Sequence, residues 1–311
     1  MDKVLQKIAN ILTMNVYNMN NTGLLEGKMG IILFYYSYGR YSKNDAYVEI
    51  ADELLEQITD NLKTTLNVSF DQGAVGIAWG IRYLIRNKFV SGDPEEILSD
   101  IEDILLTKYV DDSKSQIPLS TIGMYLHSML IDNLNIEKSK KLIEIILKKY
   151  DLYFLCLSNN PKSIVYINSA LHLFSIINER FSEYEMWIDR ILFKILLYLS
   201  NVESLDKIDL NELKTLCKLI EALPFLSDEK DLFIGKVSSL HSNVRSNNIP
   251  IKYFWHRFLY FPDENVCANI DEINQFIDDN YTFLPKENTL SIYNGGLASI
   301  GIILINQGKA I

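Results

Sequence analysis

The sequence predicts an all-α fold, an α/α toroid of about six to seven inner and as many outer helices. Three observations predict it. A small-residue motif recurs, as Gly27-Lys28-Met29-Gly30-Ile31, as Gly73-Ala74-Val75-Gly76-Ile77 and, near the C-terminus, as Gly296-Leu297-Ala298-Ser299-Ile300. Each copy opens an apolar run, and between copies lies a helix with one apolar and one charged face. Hairpin signals are missing: no Asn-Gly or Asp-Gly pair separates two alternating runs, and Asn294-Gly295 opens the last motif instead.

The second small residue of each motif sets a period. Gly30, Gly76, Gly123 (in Ser120-Thr121-Ile122-Gly123-Met124) and Ser169 (in Tyr166-Ile167-Asn168-Ser169-Ala170, a worn copy) stand 46, 47 and 46 residues apart. A fixed period of this length marks a repeat architecture. A further 47 residues reach Leu216, inside an apolar helix with no motif left. Glycine costs about 1 kcal/mol relative to Ala inside a helix. Its recurrence therefore implies close packing, and the expected neighbour is another inner helix.

Taken in order, the motif runs Ile31–Tyr38 and Ile77–Ile85 are apolar on nearly all sides apart from Arg82, as buried helices are. The intervening helix Asp45–Leu66 sets Val48, Ala51, Leu54, Leu55, Ile58 and Leu62 against Glu49, Asp52, Glu53, Glu56 and Asp60. Pro94–Lys108 repeats the type, with Asp93 as cap and Pro94 at the first helical position. Ile136–Leu155, Ser182–Leu199 and Ser227–Val244 continue the series. Asn247–Lys286 breaks the rhythm. Its aromatic stretch Ile249–Pro262 reads as a degenerate sixth inner element, and Asn269–Asn280 as a short outer helix. The last run, Leu297–Ile305, is almost wholly apolar, whereas an open solenoid would end in a polar capping repeat. The last helix should therefore pack beside the first. No flexible linker interrupts the chain, so residues 1–311 are expected to form a single domain.

Composition narrows the function. The 311 residues are 48% hydrophobic, ample for a core. Lys+Arg 30 against Asp+Glu 40 gives −10, and there is no basic block, so a nucleic-acid partner is not expected. No run of 18 apolar residues predicts a membrane span. Three cysteines at long spacings (Cys156, Cys217, Cys267) imply no disulfide framework. Met1-Asp2-Lys3-Val4 opens without a signal-peptide core, and the expected location is cytoplasmic.

The motifs resemble the lanthionine synthetase C-like (LanC-like) family. The resemblance rests on Gly23-Leu24-Leu25-Glu26-Gly27-Lys28-Met29-Gly30-Ile31, on Ser69-Phe70-Asp71-Gln72-Gly73-Ala74-Val75-Gly76-Ile77-Ala78-Trp79-Gly80, and on Gly296-Leu297-Ala298-Ser299-Ile300-Gly301. It covers residues 23–110 and 291–305. It implies seven inner and seven outer helices around a cavity at the N-terminal ends of the inner ones. The family's enzymes hold zinc through a Trp-Cys-x-Gly and a Cys-His-Gly motif, and the zinc activates a peptide thiolate for addition to a dehydrated Ser or Thr. Neither motif is present here: His127, His172, His241 and His256 never adjoin a cysteine. No metal and no cofactor is therefore expected, and the zinc-dependent cyclase chemistry lacks its ligands. A Cys217/Cys267/His site is the remaining zinc alternative.

Candidate cavity residues are Glu26, Asp71, Trp79, Tyr125, His127, Trp255, His256, Tyr293 and Asn294. Glu26 and Asp71 stand before helix starts, where an acid serves either as cap or as ligand group. Trp255-His256 reads either as cavity wall or as aromatic packing, and His127 as cavity residue or core histidine. The acid pairs Asp111-Asp112 and Asp278-Asp279 lack the further acid a metal-binding motif needs. The expected function is a zinc-less LanC-like accessory protein or pseudoenzyme that binds a peptide or precursor peptide. An α/α-toroid glycan hydrolase with Glu26 and Asp71 as acid and base, or a structural interaction toroid, are the alternatives.

Overall fold

The computed structural model describes all residues except 63–66, 111–118, 133–135, 155–163, 202–204, 206–207, 224–226, 241–249, 262–268, 282–284, 287–288 and 310–311. Among the described residues there are fourteen α-helices and no strand. They are α1 (Asp2–Asn15), α2 (Lys28–Ser42), α3 (Asp45–Leu62), α4 (Ala74–Arg86), α5 (Pro94–Val110), α6 (Leu119–Ile131) and α7 (Ile136–Tyr153). There follow α8 (Ile164–Arg180), α9 (Glu185–Asn201), α10 (Leu210–Ala222), α11 (Ser227–Leu240), α12 (Phe254–Tyr260), α13 (Ile270–Tyr281) and α14 (Leu297–Lys309). The even-numbered helices are largely buried and the odd-numbered ones show one wet face. Among the described residues there are seven helices of each kind, matching the numbers of inner and outer helices that the resemblance implied.

Helix α1 precedes the first motif and lies outside the series of outer helices that the sequence predicts. Its signal was present: Val4, Leu5, Ile8, Ala9 and Leu12 form one buried face at helical spacing. The aromatic stretch contracts to a short 3-10 turn, Ile251–Tyr253, and the seven residues of α12, all buried. The cap read at Asp93 is made: its Oδ1 accepts the Glu95 N–H at 2.9 Å.

The chain divides into two compact units, residues 1–102 with 247–311, and residues 103–246. In the first, α2 packs against α3, α4 and α14, α12 against α14, and α1 against α13 and α14. The last motif helix thus lies beside the first, as closure required. In the second, α8 lies between α6 and α10, with α7, α9 and α11 packed alongside.

The recurring motif is a backbone device. A helix start leaves its first N–H groups without intrahelical partners. Here no side chain caps α2 or α4. Instead a carbonyl seven residues upstream accepts: Asn21 from Lys28 (2.9 Å), Thr22 from Met29 (3.3 Å), Asn67 from Ala74 (2.9 Å) and Ser291 from Ala298 (3.0 Å). The returning loop lies so close that a side chain is excluded. A Cβ on Gly30 would sit 2.4 Å from the Leu24 carbonyl oxygen and 2.2 Å from Ser291 Oγ, and one on Gly76 2.0 Å from the Phe70 carbonyl oxygen. The expected clash with another inner helix is therefore corrected. For Gly76 the first obstacle is the lead-in loop of its own helix, and for Gly30 it is Ser291 of the last motif's lead, followed closely by its own lead-in loop.

A Gly76→Val variant is expected to lose stability by at least the ~1–3 kcal/mol typical of overpacking, because backbone must move. Glu53→Gln, on the wet face of α3, should stay within about 0.5 kcal/mol. Denaturant melts of the two variants check this, and a Gly76→Val midpoint equal to wild type would refute the close-packing argument.

Candidate functional site

The sequence candidates divide between the two units. In the first, three motif leads meet at the helix N-termini. The Leu25 N–H donates to the Asp71 carbonyl at 3.0 Å, and the Leu25 carbonyl accepts from the N–H groups of both Ile292 and Tyr293 at 2.9 Å. Ser291, fully buried, donates its hydroxyl to the Leu24 carbonyl at 3.1 Å. These bonds assemble a lip that carries Glu26, Asp71, Tyr293 and Asn294.

Neither lip acid caps its helix. Glu26, half-buried, accepts from the Gln72 side-chain amide at 2.5 Å. The Asp71 carboxylate is exposed and accepts no hydrogen bond from the described residues. Loss of hydration in the loop, and then the like charge of Glu26, raise its pKa above the usual 3.8. Gln72 escaped the sequence reading because its role depends on two loops meeting.

Aromatic side chains line the same region. Trp79 on α4 packs between Phe70 (6.1 Å between ring centres), Tyr83 (5.6 Å) and Phe258 (5.7 Å). Trp255, near Phe258 on α12, lies 5.1 Å from Tyr293 and 4.0 Å from His256. Trp79, Trp255 and His256 are buried, while Tyr293 and Asn294 reach solvent. Asn294 adopts φ 54° and Gly295 φ 81°, left-handed backbone that Asn and Gly tolerate best. Tyr281 holds the turn by donating to the Gly295 carbonyl at 2.9 Å. Arg257, unremarked in the sequence, is buried beside Phe261, and burial lowers its pKa.

Tyr125 and His127 belong to the second unit. Tyr125 is buried on α6. His127 stacks on His172 of α8 with ring centres 3.6 Å apart. One turn before His172, Asn168 donates to Glu212 of α10 at 3.2 Å. Burial pushes the His172 pKa down to about 3, so the ring is neutral at physiological pH.

Residues 18–150 match the family model for lanthionine synthetase C-like proteins. This stretch is similar to LanC-like proteins. It holds the first three motifs and two of the three leads at the lip. No curated protein and no solved structure matches. The zinc of LanC-like enzymes finds no fitting ligand set: among the described residues no three His, Cys, Asp or Glu side chains could hold a metal ion. Cys217 is buried on α10, while Cys156, Cys267, His241 and the pair Asp111-Asp112 lie outside the described residues. Asp278 is committed to Lys7 at 2.5 Å. Among the described residues no helix is long and apolar enough to cross a membrane.

The histidine stack makes a pH prediction. The folded pKa of His172 lies below the unfolded 6.5, so the unfolded chain binds the proton first and stability falls as pH drops through 6.5 towards 3. Between pH 7 and pH 5 this loss is about 2 kcal/mol. Urea melts of wild type and His172→Gln at the two pH values should show the slope reduced by that amount. An unchanged slope would contradict a neutral, buried His172.

Proposed function

We propose that the lip binds a peptide, and that the protein is a zinc-less LanC-like accessory protein or pseudoenzyme in peptide maturation. The observation that carries this is the Asp71 carboxylate, exposed and uncommitted beside Glu26 and Gln72 on a lip that also bears Tyr293. A carboxylate lacking partners is an acceptor for a cationic group, and exposed aromatic surface adds cation–π and apolar contact. The preferred ligand is therefore a peptide with Lys or Arg beside apolar residues. The Cys-His-Gly motif is absent from the sequence, and no step is routed through zinc.

A second reading keeps one specific observation in its favour. An acid with a raised pKa next to a second carboxylate is the arrangement a glycan hydrolase uses for its acid and base.

The test compares wild type with Asp71→Asn and Glu26→Gln in binding a panel of Lys/Arg-containing apolar peptides and their Glu-substituted counterparts. The cationic peptides should bind, and Asp71→Asn should weaken them about tenfold, the loss of one charge-assisted contact. Binding should also fade on acidification, at a pH above the ordinary carboxylate range, because Asp71 protonates early. Since the raised pKa disfavours the charged form in the fold, Asp71→Asn should leave stability at pH 7 equal or higher, which separates binding from folding. Binding indifferent to both substitutions would sink the proposal. Glycan hydrolysis lost on either substitution would favour the second reading.

Zinc is tested separately. Protein purified without chelator should carry no stoichiometric zinc, and bound zinc that disappears in Cys217→Ala would overturn the zinc-less assignment.

A further inference from the structure

Helix α1 spends one face on the core, which leaves Lys3, Gln6, Asn10 and Met14 on the outside. Beside it runs α13, with Ile277 and Tyr281 buried. Between the two helices lies an open cleft of about 520 Å³ with Ile11, Met14, Ile277 and Tyr281 among its lining residues. That volume falls in the range of small-molecule sites, which combine a mostly apolar lining with a few polar groups that fix orientation.

Two ammonium groups stand at the cleft. Lys7 is held by Asp278 at 2.5 Å and by Asn274 at 3.0 Å, so it neutralises the one carboxylate among the lining residues. Lys3 is exposed and makes no hydrogen bond or ion pair with the described residues. The cleft is net positive on a chain of net charge −10. Met14 is 69% exposed, an uncovered apolar side chain at the far end of α1 from Lys3. Three turns of helix separate the two residues, about 16 Å at 1.5 Å per residue.

We propose that the cleft between α1 and α13 binds a small amphiphile with an anionic head group, the head at Lys3 and Lys7 and the apolar tail over Ile11, Met14, Ile277 and Tyr281. A medium-chain carboxylate is the simplest such molecule. Charge selects the head group, since a cationic amphiphile would meet Lys3 as a like charge. Covering Met14 and the accessible part of Ile11 provides the drive, in proportion to the area removed from water. A docked helix is the weaker fit, because helix-in-groove recognition uses anchors spread over i, i+3/i+4 and i+7. On α1 the apolar lining is only Ile11 and Met14, within one turn of each other. This site is independent of the lip and of the peptide reading.

The test is a titration of the full-length protein with sodium decanoate, kept below micelle formation, with the Met14 methyl observed by NMR in protein carrying labelled methionine. Decyltrimethylammonium serves as the cationic control. Lys3→Glu and Met14→Lys are surface variants whose thermal melts confirm folding. The Met14 methyl should shift saturably with decanoate, and Lys3→Glu should weaken binding about tenfold. Met14→Lys, followed by calorimetry, should weaken it too, and the cationic control should produce no saturable shift. No saturable shift with decanoate, equal affinity for the two head groups, or undiminished binding by Lys3→Glu would overturn the proposal. So would an acidic helical peptide that moves the Met14 methyl where decanoate does not, since the cleft would then belong to a protein partner.

Discussion

The backbone of Leu25 is bonded on both sides, its N–H to the lead of the second motif and its carbonyl to the lead of the last. Leu25 is itself buried. Leaving a buried backbone group without its partner costs about 1–3 kcal/mol, so the Leu25 backbone strongly disfavours any arrangement that parts the three leads. It joins residues more than 260 positions apart in sequence, and the packing of α14 beside α2 goes with it. Glu26, Asp71, Gln72 and Tyr293 share one lip because main-chain atoms bring their loops together.

Polar commitments elsewhere in the first unit sharpen the contrast with Asp71. Arg82 and Glu102 form an ion pair between α4 and α5, both side chains buried. Such a pair adds little net stability, yet removing one partner strands the other charge, so it fixes how the two helices register. Asp52 accepts from the Tyr36 hydroxyl at 2.5 Å, and burial followed by that bond raises the tyrosine pKa. These acids have structural employment. The Asp71 carboxylate has none among the described residues, and it stands where three motif helices begin.

Much of this was legible in the sequence, and the reasons are specific. The 46-residue period and the alternation of buried with one-faced helices follow from side-chain pattern, which burial enforces. The return of the motif at Gly296 announced the contact of last helix with first. What escaped depends on backbone geometry. Small residues at Gly30 and Gly76 signal crowding without saying which atom crowds them, and a carbonyl has no letter in the sequence. The Gln72–Glu26 bond was hidden for the same reason. The His127–His172 stack could have been found: His127 lies four residues after Gly123 and His172 three after Ser169, so the repeat register places both one turn into consecutive inner helices. The helix α1 was passed over because its pattern precedes the first motif and so falls outside the period.

Capping by upstream carbonyls has a consequence for how such a chain diversifies. A cap made by Ser, Thr or Asp ties a helix start to a side chain, so changing the residue damages the fold. Here the fold asks for a loop of fixed length, small residues at a few points and the buried Leu24, Leu25 and Phe70 of the leads. The solvent-facing residues of the leads carry no capping duty, and the triplets differ: Leu24-Leu25-Glu26, Phe70-Asp71-Gln72 and Tyr293-Asn294-Gly295 share no residue at equivalent positions. Structural scaffold and chemical display are thereby separated. The surface chemistry of the lip can be rewritten triplet by triplet while the helix starts beneath it keep the same hydrogen bonds.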